Sequence, residues 1–319
     1  MRHEASQSRR DFLRSATVAA AVFPLTGEVR SAGPPQKISV CVFSKHLQWL
    51  DYDGMAQTAA QLGFDGLDLT VRPGGHVLPE RVETDLPAAV RAVRAAGLEV
   101  PTISTAVTDA DDGVSRRLLT TAAEQGIPYY RTGYFQYREH ETVDQTLARV
   151  ARACEGLARL NEELGLVGDY QNHAGDGLGA SIWDLWYVLR EIPSSLLGCQ
   201  FDLRHAVVEG ANSWVNDFRR IQDRIHTIDV KDFKWVSLSE GGATVQNCPL
   251  AEGMAPYPRF MDLLAGMNWR GPMTIHLEYD LGGADRGASE LSVPPERVKE
   301  AMARDLAQLR GWLMTAGLA

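Results

Sequence analysis

Four segments in the second half of the chain end in side chains that hold cations or move protons. They are Tyr170-Gln171-Asn172-His173, Phe201-Asp202-Leu203-Arg204-His205, Ile228-Asp229-Val230-Lys231-Asp232 and His276-Leu277-Glu278-Tyr279. Each follows apolar, β-prone residues. Carboxylates, imidazoles and an ammonium gathered at one point can bind a divalent cation and exchange protons with a substrate. Groups spread over more than a hundred positions meet only if their strands share one mouth, as strand ends do at the carboxyl face of a parallel barrel.

Strand and helix patterns alternate almost without a break. Strands are expected at 38–43, 64–70, 98–104, 129–133, 166–173, 198–202, 225–230 and 273–278, and helices at 54–63, 86–96, 112–125, 142–164 and 295–315. Strands alternating with helices of this length form parallel βαβ units. Eight of them predict an α/β fold closed as a single (β/α)8 TIM barrel. No Gly-x-Gly-x-x-Gly follows the first strand, which removes the dinucleotide-binding alternative.

Side chains along a strand alternate between the barrel interior and the helix layer. With Ile228 and Val230 facing the helices, Asp229 and Lys231 point inward. The same parity turns in His276 and Glu278, Gln200 and Asp202, and Asp169, Gln171 and His173. It also turns in Asp68, Thr70 and Arg131, whereas His226 has helix-facing parity and reads as a packed core residue. Buried polar groups left unpaired are costly, so this set needs partners. Asp202 and Glu278 are the leading cation ligands, the alternative for either being a structural salt bridge with Lys231 or Arg131; Asp229 is either a third ligand or the ion-pair partner of Lys231. His205 and His173 are placed to orient a substrate oxygen or shuttle a proton, with a metal-ligand role also open to His173; the alternative for either is a loop histidine without a role. Val71-Arg72-Pro73-Gly74-Gly75-His76 follows the second strand, and its Gly-Gly turn admits close approach of a ligand. Arg72, His76, Asp68 and Arg131 are candidate substrate contacts, the turn pair otherwise being plain polar surface. Tyr134, Phe135, Tyr137 and Trp235 either stack on a substrate or serve packing.

On these segments the chain resembles the xylose-isomerase-like barrel superfamily of sugar (phosphate) isomerases and epimerases, which also includes D-tagatose 3-epimerase and metal-dependent apurinic endonucleases. The shared motifs are a Glu-x-His or His-Asn-His fifth strand, Asp-x-x-His on the sixth, His-x-Lys-Asp on the seventh and a terminal Glu on the eighth. Here they stand as Gln171-Asn172-His173, Asp202-Leu203-Arg204-His205, Asp229-Val230-Lys231-Asp232 and Glu278. The resemblance implies a sugar isomerase or epimerase that takes a proton from the carbon next to a carbonyl, a divalent metal stabilising the enediolate. Two positions depart from the pattern: a Glu ligand and acid/base is replaced by Gln171, and a His ligand by Asp229. The implied metal set is then the Gln171 carbonyl, Asp202, Asp229 and Glu278. Such oxygens suit Mg2+, Mn2+ or Ca2+, while an added imidazole would admit Co2+ or Zn2+. Gln takes no proton, so proton work falls to Glu278, His173, His205 or Lys231. Lyase action on 3-keto-glycosides by β-elimination, and sugar binding without catalysis, stand beside epimerisation as alternatives.

The chain opens with Ser8-Arg9-Arg10-Asp11-Phe12-Leu13-Arg14, an apolar run over 16–25 and small residues at Ser31 and Ala32. A basic stretch, a short apolar run and small residues describe an export signal, and the arginine pair marks the twin-arginine type. Residues 1–32 are therefore expected to be a cleavable leader, residues 36–319 the barrel, and the location periplasmic or extracellular. The apolar run is shorter than the roughly 20 residues of a membrane span, so no span is expected in the mature chain. Five Arg against Glu4, Asp11 and Glu28 give the leader a net +2, so the remainder carries −11 of a total −9. An acidic body argues against nucleic acid and leaves a small sugar or sugar derivative as partner, with homo-oligomerisation open. Cys41, Cys154, Cys199 and Cys248 are widely spaced; Cys41 and Cys199 fall inside strands and read as packed thiols.

Overall fold

The structure is a computed structural model describing residues 37–319; the expected leader lies outside the described residues. Eight parallel strands form a closed barrel: β1 (Val40–Phe43), β2 (Gly66–Val71), β3 (Glu99–Thr105), β4 (Tyr129–Arg131), β5 (Val167–Gln171), β6 (Leu197–Asp202), β7 (Ile225–Val230) and β10 (Met273–Ile275). Their order is β1-β10-β7-β6-β5-β4-β3-β2, and an antiparallel hairpin, β8 (Asp232–Ser237) with β9 (Ala243–Cys248), follows β7. The helices are α1 (Tyr52–Leu62), α2 (Val82–Ala95), α3 (Gly113–Glu124), α4 (Val143–Leu164), α5 (Ile182–Leu189), α6 (Leu203–Gly210), α7 (Trp214–Ile221), α8 (Tyr257–Gly266) and α9 (Pro295–Thr315). The single closed barrel is the fold that the alternation predicts.

Local chemistry sets the element ends. The Thr142 hydroxyl accepts from the Gln145 N–H while the Gln145 side chain accepts from the Thr142 N–H, a capping box that starts α4. Gly63 closes α1 at φ 90°, where its N–H donates back to α1 carbonyls. Between sheet and helices lies the apolar core: Val42, Leu67, Leu69, Ile103, Tyr130, Tyr170, Phe201, Ile228 and Ile275 are each at most 1% exposed. Each such Leu or Ile contributes roughly 1.5–3 kcal/mol by leaving water.

The other face of the same strands is polar. Asp68, Ser104, Arg131, Asp169, Gln171, Gln200, Asp202 and Asp229, with His276 just past β10, are all buried, where barrels commonly stack branched apolar residues. The packing that holds this barrel therefore lies mostly outside its sheet.

Several details differ from the sequence expectation. β10 ends at Ile275, so Glu278 lies three residues beyond the ladder. Its approach is held by His276 N–H donating to the Val230 carbonyl and Leu277 N–H donating to His46 Nε2, both at 2.9 Å. The sequence expectation contains no β8–β9 hairpin and sets no bounds for the short helices α5 to α8. All four cysteines are buried free thiols. Among the described residues no helix is long and apolar enough to cross a membrane.

His226 corrects a packing expectation. A register shift between Cys199 and Gln200 of β6, opposite Ile225 and Thr227 of β7, turns its ring across Gly198, where any Cβ would collide with it. Its Nδ1 meets Asp169 Oδ1 at 2.7 Å, and Thr227 Oγ1 donates to the other oxygen at 2.7 Å. Burial opposes protonation of the ring, but the Asp169 carboxylate outweighs it and raises the pKa above the ordinary 6.5. Stability from this pair is fully present below 6.5 and fades as pH rises through the higher folded-state value. Thermal unfolding of the parent should show that loss as pH rises above 6.5, and His226→Gln should show none of it.

Candidate active site

Asp202 is the best-anchored group at the mouth. It caps α6 by accepting the His205 N–H at 3.1 Å, and Asn172 clamps its backbone with Oδ1 on its N–H (2.8 Å) and Nδ2 on its carbonyl (3.0 Å). Both Asp202 Oδ2 and Glu278 Oε2 lie 3.1 Å from Lys231 Nζ. One ammonium thus spans the two carboxylates, placing those oxygens no more than about 6 Å apart. Lys45, on the turn after β1, pairs with Glu278 Oε1 at 3.1 Å.

Gln171 fills the centre. Arg131 Nη1 and the Tyr134 hydroxyl donate to its Oε1, and its Nε2 donates to Asp202 Oδ2 and Asp229 Oδ2. Only this amide orientation works, because the guanidinium cannot accept and the carboxylates cannot donate. The carbonyl offered to a cation by the sequence reading therefore faces Arg131 and Tyr134, away from the acids. Lys231 likewise occupies the space between Asp202 and Glu278.

Deeper in the barrel, ligand atoms of Asp68, Asp229 and His276 lie within 4.8 Å of one another. Asp68 Oδ1, Asp229 Oδ1 and both His276 nitrogens are buried without a hydrogen-bond partner, although His276 Nε2 stands 3.2 Å from Asp229 Oδ1. The His276 ring stacks on Phe43, centroids 4.3 Å apart. Burial first, then the neighbouring Asp229, pushes the Asp68 carboxyl up to about 6. Like charges this close and this dry call for a shared proton or a cation.

Charges balance across the cluster: Asp68, Asp202, Asp229 and Glu278 face Lys45, Lys231, Arg72 and Arg131. Arg72 reaches inward over the Phe43 ring at 5.4 Å. His76 stays on its own turn, its Nε2 meeting the Leu50 carbonyl at 3.0 Å and its backbone gripped by Thr70 and Tyr52. His173 and His205 lie side by side, ring centroids 4.0 Å apart. His173 has an exposed edge, but the walls of the mouth crowd water from its ring, and this desolvation and then Lys231 lower its pKa to about 4. Phe135 stacks on Tyr170 and Tyr137 donates to Asp184, so both serve packing, whereas Tyr134 belongs to the cluster. Trp235 is 43% exposed on the hairpin.

Sequence reasoning left Lys45, Asn247 and the role of His276 out. The signal for Lys45 was present, since Phe43-Ser44-Lys45 leaves β1 at the same mouth. Asn247 carried none, its hairpin being unrecognised.

A family model described as Xylose isomerase-like TIM barrel represents this fold. It matches residues 56–304, and the chain belongs to that family. No curated protein matches the chain. Among solved structures, a xylose isomerase domain protein from Planctomyces limnophilus is similar at TM-score 0.64 and 16% identity, covering 90% of this chain and 100% of the other. A 3-keto-D-glucoside 4-epimerase from E. coli in its apo form is similar at 0.62 and 14%, covering 86% and 100%. A D-allulose 3-epimerase from Methylomonas sp. in complex with D-allulose is similar at 0.61 and 14%, covering 87% and 98%.

Proposed function

We propose that the chain is an exported enzyme that removes a proton from the carbon next to a carbonyl of a sugar, as an isomerase or epimerase does. The observation that carries this reading is Lys231, held between Asp202 and Glu278 in a pocket that also presents Arg131, Arg72 and two neutral imidazoles. Fixed cations in a dry site stabilise the negative oxygen that develops as the proton leaves, at no reorganisation cost. Glu278 is the base: its side chain is 24% exposed to the mouth, while those of Asp202 and Asp229 are fully buried. Fold neighbours that are sugar epimerases support the substrate class, and the leader motif supports export and an unphosphorylated substrate.

A specific observation favours a second reading, β-elimination from an oxidised glycoside. Epimerisation needs bases on both faces of the substrate, and Gln171, its amide hydrogens committed to Asp202 and Asp229, supplies none. Elimination needs one base and one leaving-group acid, which Glu278 and the His205 side of the mouth can provide.

A divalent metal fits Asp68, Asp229 and His276, whose unpartnered donor atoms converge. It does not fit the expected set of Gln171, Asp202, Asp229 and Glu278, from which Lys231 and the Gln171 amide exclude it. One nitrogen and two oxygens move the preference from Mg2+ toward Mn2+, Co2+ or Zn2+. Bound there, the ion would supply further positive charge to the site. Elemental analysis should find the ion lost from His276→Asn and Asp68→Asn but retained in Glu278→Gln; loss in Glu278→Gln alone would return the outer ligand set.

All these reactions share one step, so the test is exchange of the carbon-bound proton. A free ketose and a 3-keto-glycoside are incubated in D2O, with and without EDTA, and the sugar carbon next to the carbonyl is followed by NMR. Deuterium uptake with product is the expected result. Sugar binding with neither would leave a non-catalytic sugar-binding barrel.

A further inference from the structure

Arg204 Nη1 lies 2.9 Å from His205 Nδ1. A guanidinium has donors only, so that ring nitrogen is bare and the neutral imidazole carries its proton on Nε2. Nε2 is buried, lacks a hydrogen-bond partner and stands 3.6 Å from Asp202 Oδ2. The rest of the guanidinium is pinned from behind. Its Nε and Nη2 donate to Asn247 Oδ1 at 3.2 and 2.9 Å, it lies over the Phe233 ring at 5.6 Å, and Asn247 Nδ2 donates to the Glu278 carbonyl at 3.2 Å. The Asn247 amide also has a single workable orientation, its oxygen toward Arg204 and its nitrogen toward the carbonyl.

We infer that Arg204 is a positioning residue which, anchored by the hairpin through Asn247, locks His205 in the Nε2–H tautomer and makes it a hydrogen-bond donor to a substrate oxygen instead of a base. The inference deepens the proposed function and rests on it for the substrate: the Nε2–H would face a carbonyl or leaving-group oxygen. Every charged neighbour is accounted for. Asp202 at the end of β6 is paired with Lys231, and Glu278 beyond β10 with Lys231 and Lys45, while His173 beyond β5 and Arg204 on α6 border the ring. Burial and then Lys231, His173 and Arg204 hold its proton affinity well below the ordinary value, so the ring is neutral and the question is only where its single proton sits. Removing the guanidinium leaves Nδ1 without its donor.

Long-range proton–nitrogen NMR on nitrogen-15 histidine-labelled protein reads this directly, with His205→Asn identifying the signals. The parent should show one tautomer, Nε2 protonated and Nδ1 bare but hydrogen-bonded. In Arg204→Met the Nδ1 resonance should move toward that of a bare nitrogen without a donor, and Asn247→Ala should move it part of the way. A proton on Nδ1 in the parent, or an Nδ1 resonance unmoved in Arg204→Met, would overturn the inference. The parent spectrum decides even if a variant fails to fold. The reading is also independent of turnover: a parent that exchanges no sugar proton yet holds the Nε2–H tautomer sinks the functional proposal and supports this one.

Discussion

Lys231→Met should abolish deuterium exchange into any sugar substrate and destabilise the fold by about 3–5 kcal/mol, the cost typical of stripping one partner from a buried ion pair. The Lys231 side chain is only 3% exposed and its ammonium contacts Asp202 and Glu278 at equal distance. Burial works against its charge, but Asp202, Glu278 and Asp229 together raise its pKa, so it is neither a free base nor a Schiff-base amine at neutral pH. It is the fixed positive charge of the site. The pH behaviour carries the same signature. Burial would raise the Glu278 carboxyl, yet Lys231, His276 and Lys45 hold it well below its ordinary 4.5. Stability from that pairing is present above 4.5 and lost as pH falls toward the folded-state value. In Lys231→Met the acid limb of the stability curve should begin at higher pH. Urea midpoints measured from pH 3 to 7 would decide; identical curves for parent and variant would remove Lys231 from the centre of the site.

Gln171→Glu is the second large effect. The substitution removes two N–H donors from Asp202 and Asp229 and adds a carboxylate beside them, with the Tyr134 hydroxyl and Arg131 left on the far oxygen. Without added metal the variant should melt roughly 10 °C below the parent, as 3–5 kcal/mol implies for a domain of this size. Mn2+ should stabilise both proteins through Asp68, Asp229 and His276 and recover most of the variant's loss, the larger gain falling to the variant because only it adds an unneutralised carboxylate at the mouth. Differential scanning calorimetry with EDTA and with Mn2+ reads both. An EDTA-treated variant that melts with the parent would mean Gln171 is not what keeps the acids in balance.

Much of the architecture was legible in the sequence because it rests on period. Inward parity placed Asp68, Arg131, Gln171, Asp202, Asp229, Lys231 and His276 in one interior, and short apolar runs bounded by Gly located the strands. What escaped depended on contacts that period does not encode. The bulge in β7, where His226 is the extra residue, reversed its reading, and no pattern announces a one-residue register shift. Gly241-Gly242 between Trp235-Val236 and Thr244-Val245 is a hairpin signal, with both glycines at positive φ. It went unread because the eight-unit repeat leaves no place for it. The choice between ligand sets could not be made from residue types at all. Gln171 and Lys231 are compatible with either, and only the direction of an amide and the reach of an ammonium separate them.

Ring closure also orders events in time. β1 must lie beside both β2 and β10, and its bond to the latter joins Val40 to Met273, segments synthesised more than two hundred residues apart. Such distant pairing is slow to form, and the first strand waits with one edge bare until the last segment emerges from the ribosome. Under the export proposed above, a translocation machinery that accepts finished globules, rather than threading an open chain, would give that seam time to zip in the compartment where chaperones can shield it.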